Sequence, residues 1–411
     1  MNILSNRIVK DFISLVANRG LDSLIGIIVI PYLIDKIGSA EYGKIVLAQS
    51  IAYLGVSFVN FGSDLLILKK IPLYSFYQKI YPISIFISRI IQLRFVLFLF
   101  YVSLYFLGGQ IFEISEVINI YVLVLLLVCL AEIFSVSHLL VILQDVKILP
   151  CISVLRFLVI FVLTYIFVKN DSDGYRYVLF YSFSFVISNL IILLYTFIKY
   201  KLHYYRKLRV KTLKRTLIQS SPFFVSKINL LLSDKLYNIL CASFISLSAA
   251  ALLDISFKIL SVIVIPTQIL SVVILGRFSV RNSRIFIRKI LIFIFFFSVA
   301  LFILLLLLKS YILVYYSFVP SLEVLFTLSI ILLSSIFANL SIFIGDNIMV
   351  AHSLEKCLIR SSLYSSLLIF PCLIFLLAYV DNSILLLSFS FLIHKIVEFS
   401  LRIYYSWNYI R

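Results

Sequence analysis

Apolar runs long enough for a membrane-spanning helix, separated by short polar stretches, recur from one end of the chain to the other. A bilayer core asks for about 20 such residues per helix, and no stretch shows the alternate-residue pattern of a barrel strand. The pattern predicts helices over 12–34, 45–67, 86–107, 117–142, 148–168, 177–198, 217–241, 249–275, 290–308, 322–349, 358–380 and 384–406. The expected fold class is therefore all-α: a polytopic membrane protein with about twelve transmembrane helices in two six-helix bundles. The first run, Phe12 to Ile34, carries Asn18, Arg19 and Asp22 in its first half. A charge at that depth costs about 2.5–3.5 kcal/mol on insertion scales, so the helix is expected to face protein or water there and to be more than an anchor. It is too long and too polar inside for a cleavable signal peptide, and none is expected.

Composition narrows the class. The 411 residues are 63% hydrophobic and 13% charged, with a mean hydropathy of +1.14, which excludes a soluble domain of ordinary make-up. The net charge of +18 raises nucleic acid as a partner. The distribution of the cations argues against it, because they sit in short loops between apolar runs. With the N-terminus inside, the inner loops hold Arg7, Lys10, Lys69, Lys70, Lys79, Lys147, the cluster from Lys199 to Arg215, then Arg277, Arg281, Arg284, Arg288, Lys289, Lys356, Arg360, Arg402 and Arg411. The outer loops hold only Lys36, Lys44, Lys169, Arg176 and Lys309. That bias places both termini in the cytoplasm. The stretch Lys199–Arg215 is the longest polar one and divides the chain into 1–198, a basic linker 199–215 and 216–411; its cations are read as a topology signal in contact with anionic headgroups. No expected outer loop is long, which disfavours a glycan polymerase.

Charges within the runs supply the candidate site. Arg156 has no carboxylate within four residues on its own helix, and Lys227 none within six. With Arg19, which shares a helix face with Asp22, they are the cations expected to be available near the middle of the membrane. Lys258 joins them, although Asp254 lies four residues before it. Converging from the two halves they would line an electropositive central cavity suited to a pyrophosphate: arginine offers a planar fork to phosphate oxygens and lysine a compact charge. Asp64, Glu132 and Asp234 are candidates for proton or cation coupling, since a desolvated carboxyl can cycle a proton. Ser220, Lys227 and Asp234 recur every seven residues as one stripe, and Lys395 and Glu398 are spaced to pair. Arg89 and Arg94 are expected to snorkel to the inner headgroups, and the many Phe and Tyr to face lipid or the interface.

Enzyme signatures are missing from the sequence. His138, His203, His352 and His394 have no second histidine or cysteine at metal-ligand spacing, and no P-loop, G-x-S-x-G or G-x-G-x-x-G occurs. No cofactor or metal is expected. Cys129, Cys151, Cys241, Cys357 and Cys372 show no C-x-x-C spacing and are read as small buried hydrophobes.

The strings Pro31-Tyr32-Leu33, Gly38, Glu41-Tyr42-Gly43 and Ala48-Gln49-Ser50 resemble the N-terminus of Wzx-type O-antigen flippases, the polysaccharide-transporter branch of the superfamily that holds the MATE exporters and the lipid II flippases. Pro222-Phe223-Phe224 and Gly345-Asp346-Asn347 are similar to further landmarks of that family. The chain departs from it at Asn60-Phe61-Gly62, where the family's acidic residue is displaced to Asp64, and at Gln144-Asp145-Val146-Lys147. The resemblance implies two six-helix bundles in a V and transfer of a polyprenyl-pyrophosphate-linked oligosaccharide from the inner to the outer leaflet of a bacterial cytoplasmic membrane. It implies membrane lipids, a polymerase and a chain-length regulator as partners, with no nucleic acid. A MATE-like small-molecule antiporter and a membrane polymerase or acyltransferase are the competing readings.

Overall fold

The structure, a computed structural model, describes residues 25–75, 80–109, 116–143, 145, 147–205, 210–278, 284–349, 352, 354–379 and 383–410. A π-helical turn, Ile25–Val29, leads into α1 (Ile30–Asn60), followed by α2 (Ser63–Ser75), α3 (Ile80–Gly109), α4 (Glu116–Ile133), α5 (Ser137–Ile142), α6 (Ile148–Phe167) and α7 (Gly174–Lys199). The later helices are α8 (Val210–Phe244), α9 (Leu247–Phe278), α10 (Arg284–Tyr315), α11 (Leu322–Phe343), α12 (Glu355–Tyr379) and α13 (Ile384–Ile410); no strand occurs among the described residues.

Ten helical spans among the described residues are long and apolar enough to cross a membrane. The difference from twelve has a local cause. The first span runs 47 residues, Ile25–Ile71, and α1 inside it kinks at Gly38, whose φ of +78° only glycine adopts without penalty. It therefore covers parts of two expected helices, and the seventh expected helix lies within α8. Two expected helices are broken. The one over 45–67 stops at Phe61 and Gly62, both with positive φ, before α2 resumes. The one over 117–142 opens after Ile133, and α5 begins at Ser137. The long helix expected over 322–349 ends in a second π-helical stretch, Ile344–Met349.

By packing, the chain forms two compact units: one takes in the chain up to Gly43 together with Leu236–Arg411, the other Lys44–Lys235. This division follows contacts, whereas the sequence halves meet at the basic linker. In the Lys44–Lys235 unit, α4 and α6 pack against α7, α3 against α2 and α4, and α5 closes on α2. In the other, α11 is the central helix, with α9, α10 and α13 around it and α12 outside α13. The burial pattern agrees: 78% of the α11 span is buried against 11% of the α10 span, so α10 presents its aliphatic surface outward. The core there gathers Tyr237, Leu253, Phe257, Leu328, Ile331, Leu332 and Phe391.

The N-terminal limb of α1 packs with α9 and α10 of its unit. Tyr316 and Tyr315 donate to the carbonyls of Gly26 and Ile27, each at 3.0 Å, within the π turn, where the regular backbone pattern is interrupted. Gly43 is required by closeness, because a Cβ there would stand 1.9 Å from the Leu247 carbonyl oxygen.

Candidate functional site

Among the described residues, three polar assemblies, each including residues singled out in the sequence, lie inside the helical units beside a smaller set around Lys258. The first, in the Lys44–Lys235 unit, is a row of rings between two cations. The Arg156 guanidinium, half-buried on α6, stacks over the Phe185 ring at 4.3 Å. Phe185 lies 4.9 Å from the Tyr181 ring one turn earlier on α7, and the Tyr181 and Tyr53 hydroxyls are hydrogen-bonded. Lys235 on α8 stands 5.2 Å over the Tyr53 ring. Each cation–π contact is worth about 0.5–2 kcal/mol depending on desolvation, and orients a cation without neutralising it. Among the described residues Lys235 meets no carboxylate. The row thus sets two cations beside aromatic faces.

The second assembly arises where two helices break. Breaking α1 at Phe61–Gly62 starts α2 at Ser63-Asp64, which puts a carboxylate in the first turn of a helix, where the dipole favours it. Opening the chain after α4 takes the Ser135 carbonyl out of the helix pattern and leaves the Glu132 carbonyl with a turn bond from Ser135 N at 3.2 Å. Arg94, fully buried on α3, satisfies both groups of acceptors. Its Nε donates to Ser63 Oγ at 2.8 Å, Nη1 to the carbonyls of Glu132 and Ser135 at 2.9 and 2.6 Å, and Nη2 to Asp64 Oδ1 at 2.6 Å. Asn60 bridges the two acids, donating to Asp64 Oδ2 at 2.6 Å and Glu132 Oε1 at 2.5 Å. Arg94 Nη1 is also 3.9 Å from Glu132 Oε1, and His138 Nδ1 is 3.3 Å from Asp64 Oδ1. Two carboxylates and an imidazole thus meet around one guanidinium. Arg94 does not snorkel as expected: the broken helix ends offer it fixed acceptors inside the unit.

The third assembly is in the unit containing α13. Glu398 accepts from Arg402 at 2.5 Å and lies 3.7 Å from Lys395; Arg402 also donates to the Ser341 carbonyl at 2.8 Å and Ser362 Oγ at 3.1 Å. Arg402, counted in the sequence among the inner-loop charges, is thus buried in the helix interior. Gly345 is explained by it, since a Cβ there would meet Arg402 Nη1 at 2.9 Å.

The remaining predicted residues fall as follows. Lys258 pairs with Asp254 on its own helix and donates to Tyr42 Oη at 2.5 Å; Tyr42 donates to Asp254 Oδ2 at 2.8 Å and Asn238 to Asp254 Oδ1 at 3.3 Å. Arg19 lies outside the described residues, as does the side chain of Lys227 on α8. Asp234 is half-buried on α8, beside Lys235 in sequence. The structure therefore brings Asp64 and Glu132 together and puts Arg156 among aromatic rings. Sequence reasoning missed Tyr53, Tyr181 and Phe185, taken with the lipid-facing aromatics, and the bridging role of Asn60. Their signal was a hydroxyl or a cation at helical spacing from the ring, which is weak in a chain with 26 Tyr and 38 Phe. The cysteine expectation holds for Cys129 and Cys241, whereas Cys151 and Cys372 are exposed on the helix surface.

The landmark strings also acquire a physical role. Phe61 stacks on Phe224 at 4.2 Å, and a Cβ on Gly62 would stand 2.5 Å from the Phe224 nitrogen, so Asn60-Phe61-Gly62 and Phe223-Phe224 form one contact. A family model described as polysaccharide biosynthesis protein matches residues 8–279. No curated protein matches. Among solved structures, the chain is similar to an inward-facing multidrug resistance MATE family transporter of the MOP superfamily, with a TM-score of 0.64 and 13% identity over 100% of this chain and 94% of that one. It is similar to the MATE transporter VcmN of Vibrio cholerae in its bent form, at 0.60 and 14%, over 100% and 98%. It is also similar to a MOP superfamily transporter from Pyrococcus furiosus described by a binding pocket of reverse polarity, at 0.60 and 13%, over 98% and 95%. Identities this low establish the fold alone.

Proposed function

This chain belongs to the polysaccharide biosynthesis protein family, and from that premise we propose that it is a flippase carrying polyprenyl-pyrophosphate-linked oligosaccharide repeat units from the inner to the outer leaflet of a bacterial cytoplasmic membrane. The observation that carries the reading is the Arg156–Phe185–Tyr181–Tyr53–Lys235 row: two oriented cations and three aromatic rings, all but Lys235 on helices long and apolar enough to cross a membrane. A diphosphate cannot cross hydrocarbon uncompensated. Arginine matches its oxygens with a fork and lysine adds a second charge, while aromatic faces suit the apolar face of a sugar ring. Arg19, Lys227 and Lys258 are proposed to bind the pyrophosphate as well, Lys258 once Asp254 or Tyr42 releases its ammonium. Asp64 and Glu132, with Asp234, are proposed to couple transport to a proton or cation, Asn60 bridging the first two. Exposure of the site alternates between the two membrane faces while the prenyl tail remains in lipid. Both termini are proposed to be cytoplasmic, with a polymerase and a chain-length regulator acting on the product.

In a flippase-null strain complemented by this chain, Arg156→Ala and Lys235→Ala are each expected to abolish surface polysaccharide at unchanged membrane abundance, and Arg156→Lys to restore part of it. Arg19→Ala and Lys227→Ala are expected to behave like the first pair. Normal glycan display from all four alanine variants overturns the role given to these cations. The two carboxylates gathered around Arg94 favour one second reading, a MATE-like antiporter of small cations; drug efflux by the chain without glycan transfer would establish it instead.

A further inference from the structure

Resting on the flippase reading, we infer that an apolar furrow in the Lys44–Lys235 unit seats the isoprenoid tail of the lipid carrier while its diphosphate occupies the Arg156 region. The furrow encloses about 720 Å³ and is bounded by Phe95, Phe134, Leu194, Phe197, Tyr204 and Leu213. Phe95 and Leu194 are at least half exposed, so it opens sideways, toward lipid. Its polar lining is Gln92 and Tyr204, and the Gln92 amide is already engaged, donating to the Tyr205 carbonyl at 2.9 Å and to Tyr204 Oη at 3.3 Å. A polar ligand finds little to bind, and a hydrocarbon chain fits.

The furrow is a built feature. Past α7 the chain turns at Lys201, in the left-handed region at φ +49°, where Leu202 N–H closes on the Phe197 carbonyl at 3.0 Å in a Schellman-type end. The extended segment that follows is strapped to α3. Ser84 accepts from His203 N at 3.3 Å, Ser88 from Tyr205 N at 3.0 Å, and Gln92 holds the Tyr205 carbonyl. Residues 84, 88 and 92 recur every four, so one polar stripe of a membrane helix is given over to fixing the strap that supplies Tyr204 to the furrow wall.

Depth selects the occupant. Helix α7 carries both regions: Phe185, under Arg156, and Leu193, Leu194 and Phe197, which lie eight or more residues nearer its Lys199 end. At 1.5 Å per residue the furrow is about 12 Å or more along the helix from Phe185, toward that end. A phospholipid has the opposite order, with charge at the surface and chains deep. A lipid whose charged head has been drawn into the span while its tail trails in the leaflet has the observed order. The Ile133–Phe134 edge continues directly from Glu132, so the furrow borders the Arg94 assembly.

The test is photolabelling of the full chain in nanodiscs with a diazirine-bearing decaprenyl pyrophosphate, the labelled residues being mapped by mass spectrometry. Labelling is expected on 193–197 and Phe134, to fall at least tenfold with unlabelled polyprenyl pyrophosphate, and to resist a like excess of phosphatidylglycerol. Leu194→Trp, which fills the furrow, is expected to remove it, and Leu194→Met to keep it. Displacement by phosphatidylglycerol, or labelling spread evenly over lipid-facing helices, overturns the inference. A probe that binds competitively yet labels elsewhere overturns the furrow and leaves the flippase reading standing; a probe that does not bind at all overturns both.

Discussion

Arg94 shows what a single buried charge does in this protein. Its guanidinium ties together a serine and an aspartate of α2, the Glu132 carbonyl at the end of α4 and the Ser135 carbonyl in the turn after it. Removing one member of a buried ionic assembly typically costs about 3–5 kcal/mol, because the partners stay behind uncompensated. Arg94→Met is expected to lower the thermal midpoint in detergent accordingly, and Arg94→Met with Asp64→Leu to cost less than the two separate changes added. A midpoint that does not move with Arg94→Met would deny the assembly its structural weight. Glycines separate two causes at the same scale. Gly38 has positive φ and open space, so Gly38→Ala pays only the conformational penalty, about 1–3 kcal/mol. Gly62 has positive φ and the Phe223–Phe224 backbone against it, so Gly62→Ala is expected to destabilise more than Gly38→Ala when both are measured by thermal unfolding.

At the scale of elements, the end of α7 is the informative case. Asp145 accepts from Lys199 at 2.6 Å, Tyr195 at 2.9 Å and Tyr200 at 3.1 Å, clamping the helix end from which the strap departs. Burial pushes the Asp145 carboxyl up, but the hydrogen bonds from Lys199, Tyr195 and Tyr200 outweigh it and leave the carboxyl below its ordinary value. A depressed value in the folded state means the clamp contributes fully above the unfolded carboxylate value of about 3.9 and is lost as pH falls through the lower folded value. Hydrogen exchange of Leu202, expressed as protection over the intrinsic rate, is expected to be constant from neutral pH to about 5 and to fall in acid below about 4. Asp145→Asn is expected to show low protection throughout; a wild-type profile from that variant would remove the clamp from the account. The sequence marked 199–215 as a basic linker, and charge alone suggested headgroup contact. What it did not reveal is that Ser84, Ser88 and Gln92 hold residues 203–205, because those partners lie more than a hundred residues away.

For the whole molecule, the grouping of the N-terminal limb with Leu236–Arg411 has a direct consequence. Residues 1–199 expressed alone would present Tyr42, Gly26 and Gly43 without Asp254, Tyr316 and the Leu247 turn that they meet in the intact chain. Membrane abundance of that fragment is expected to be low and to recover on co-expression of 200–411; equal abundance with and without the second fragment would show that the limb is stable unaided. The same contact explains why an acid four residues from Lys258 did not reduce to a local pair: Tyr42, more than two hundred positions away, completes the set.

Apolar run length and the placement of lysine and arginine are one-dimensional quantities, and a bilayer responds to them directly. The chain alone therefore determined that the protein is a bundle of membrane helices, roughly where each helix runs, and which residues bring charge into the spans. Tertiary structure decided the rest, because a charge inside a span is defined by what surrounds it and those surroundings come from distant segments. It turned Arg94 inward, joined Asp64 to Glu132 through Asn60, engaged Lys258 with Asp254 and Tyr42, and left Arg156 and Lys235 on aromatic rings. No spacing along one helix can express such meetings, since each depends on where a second and a third helix break.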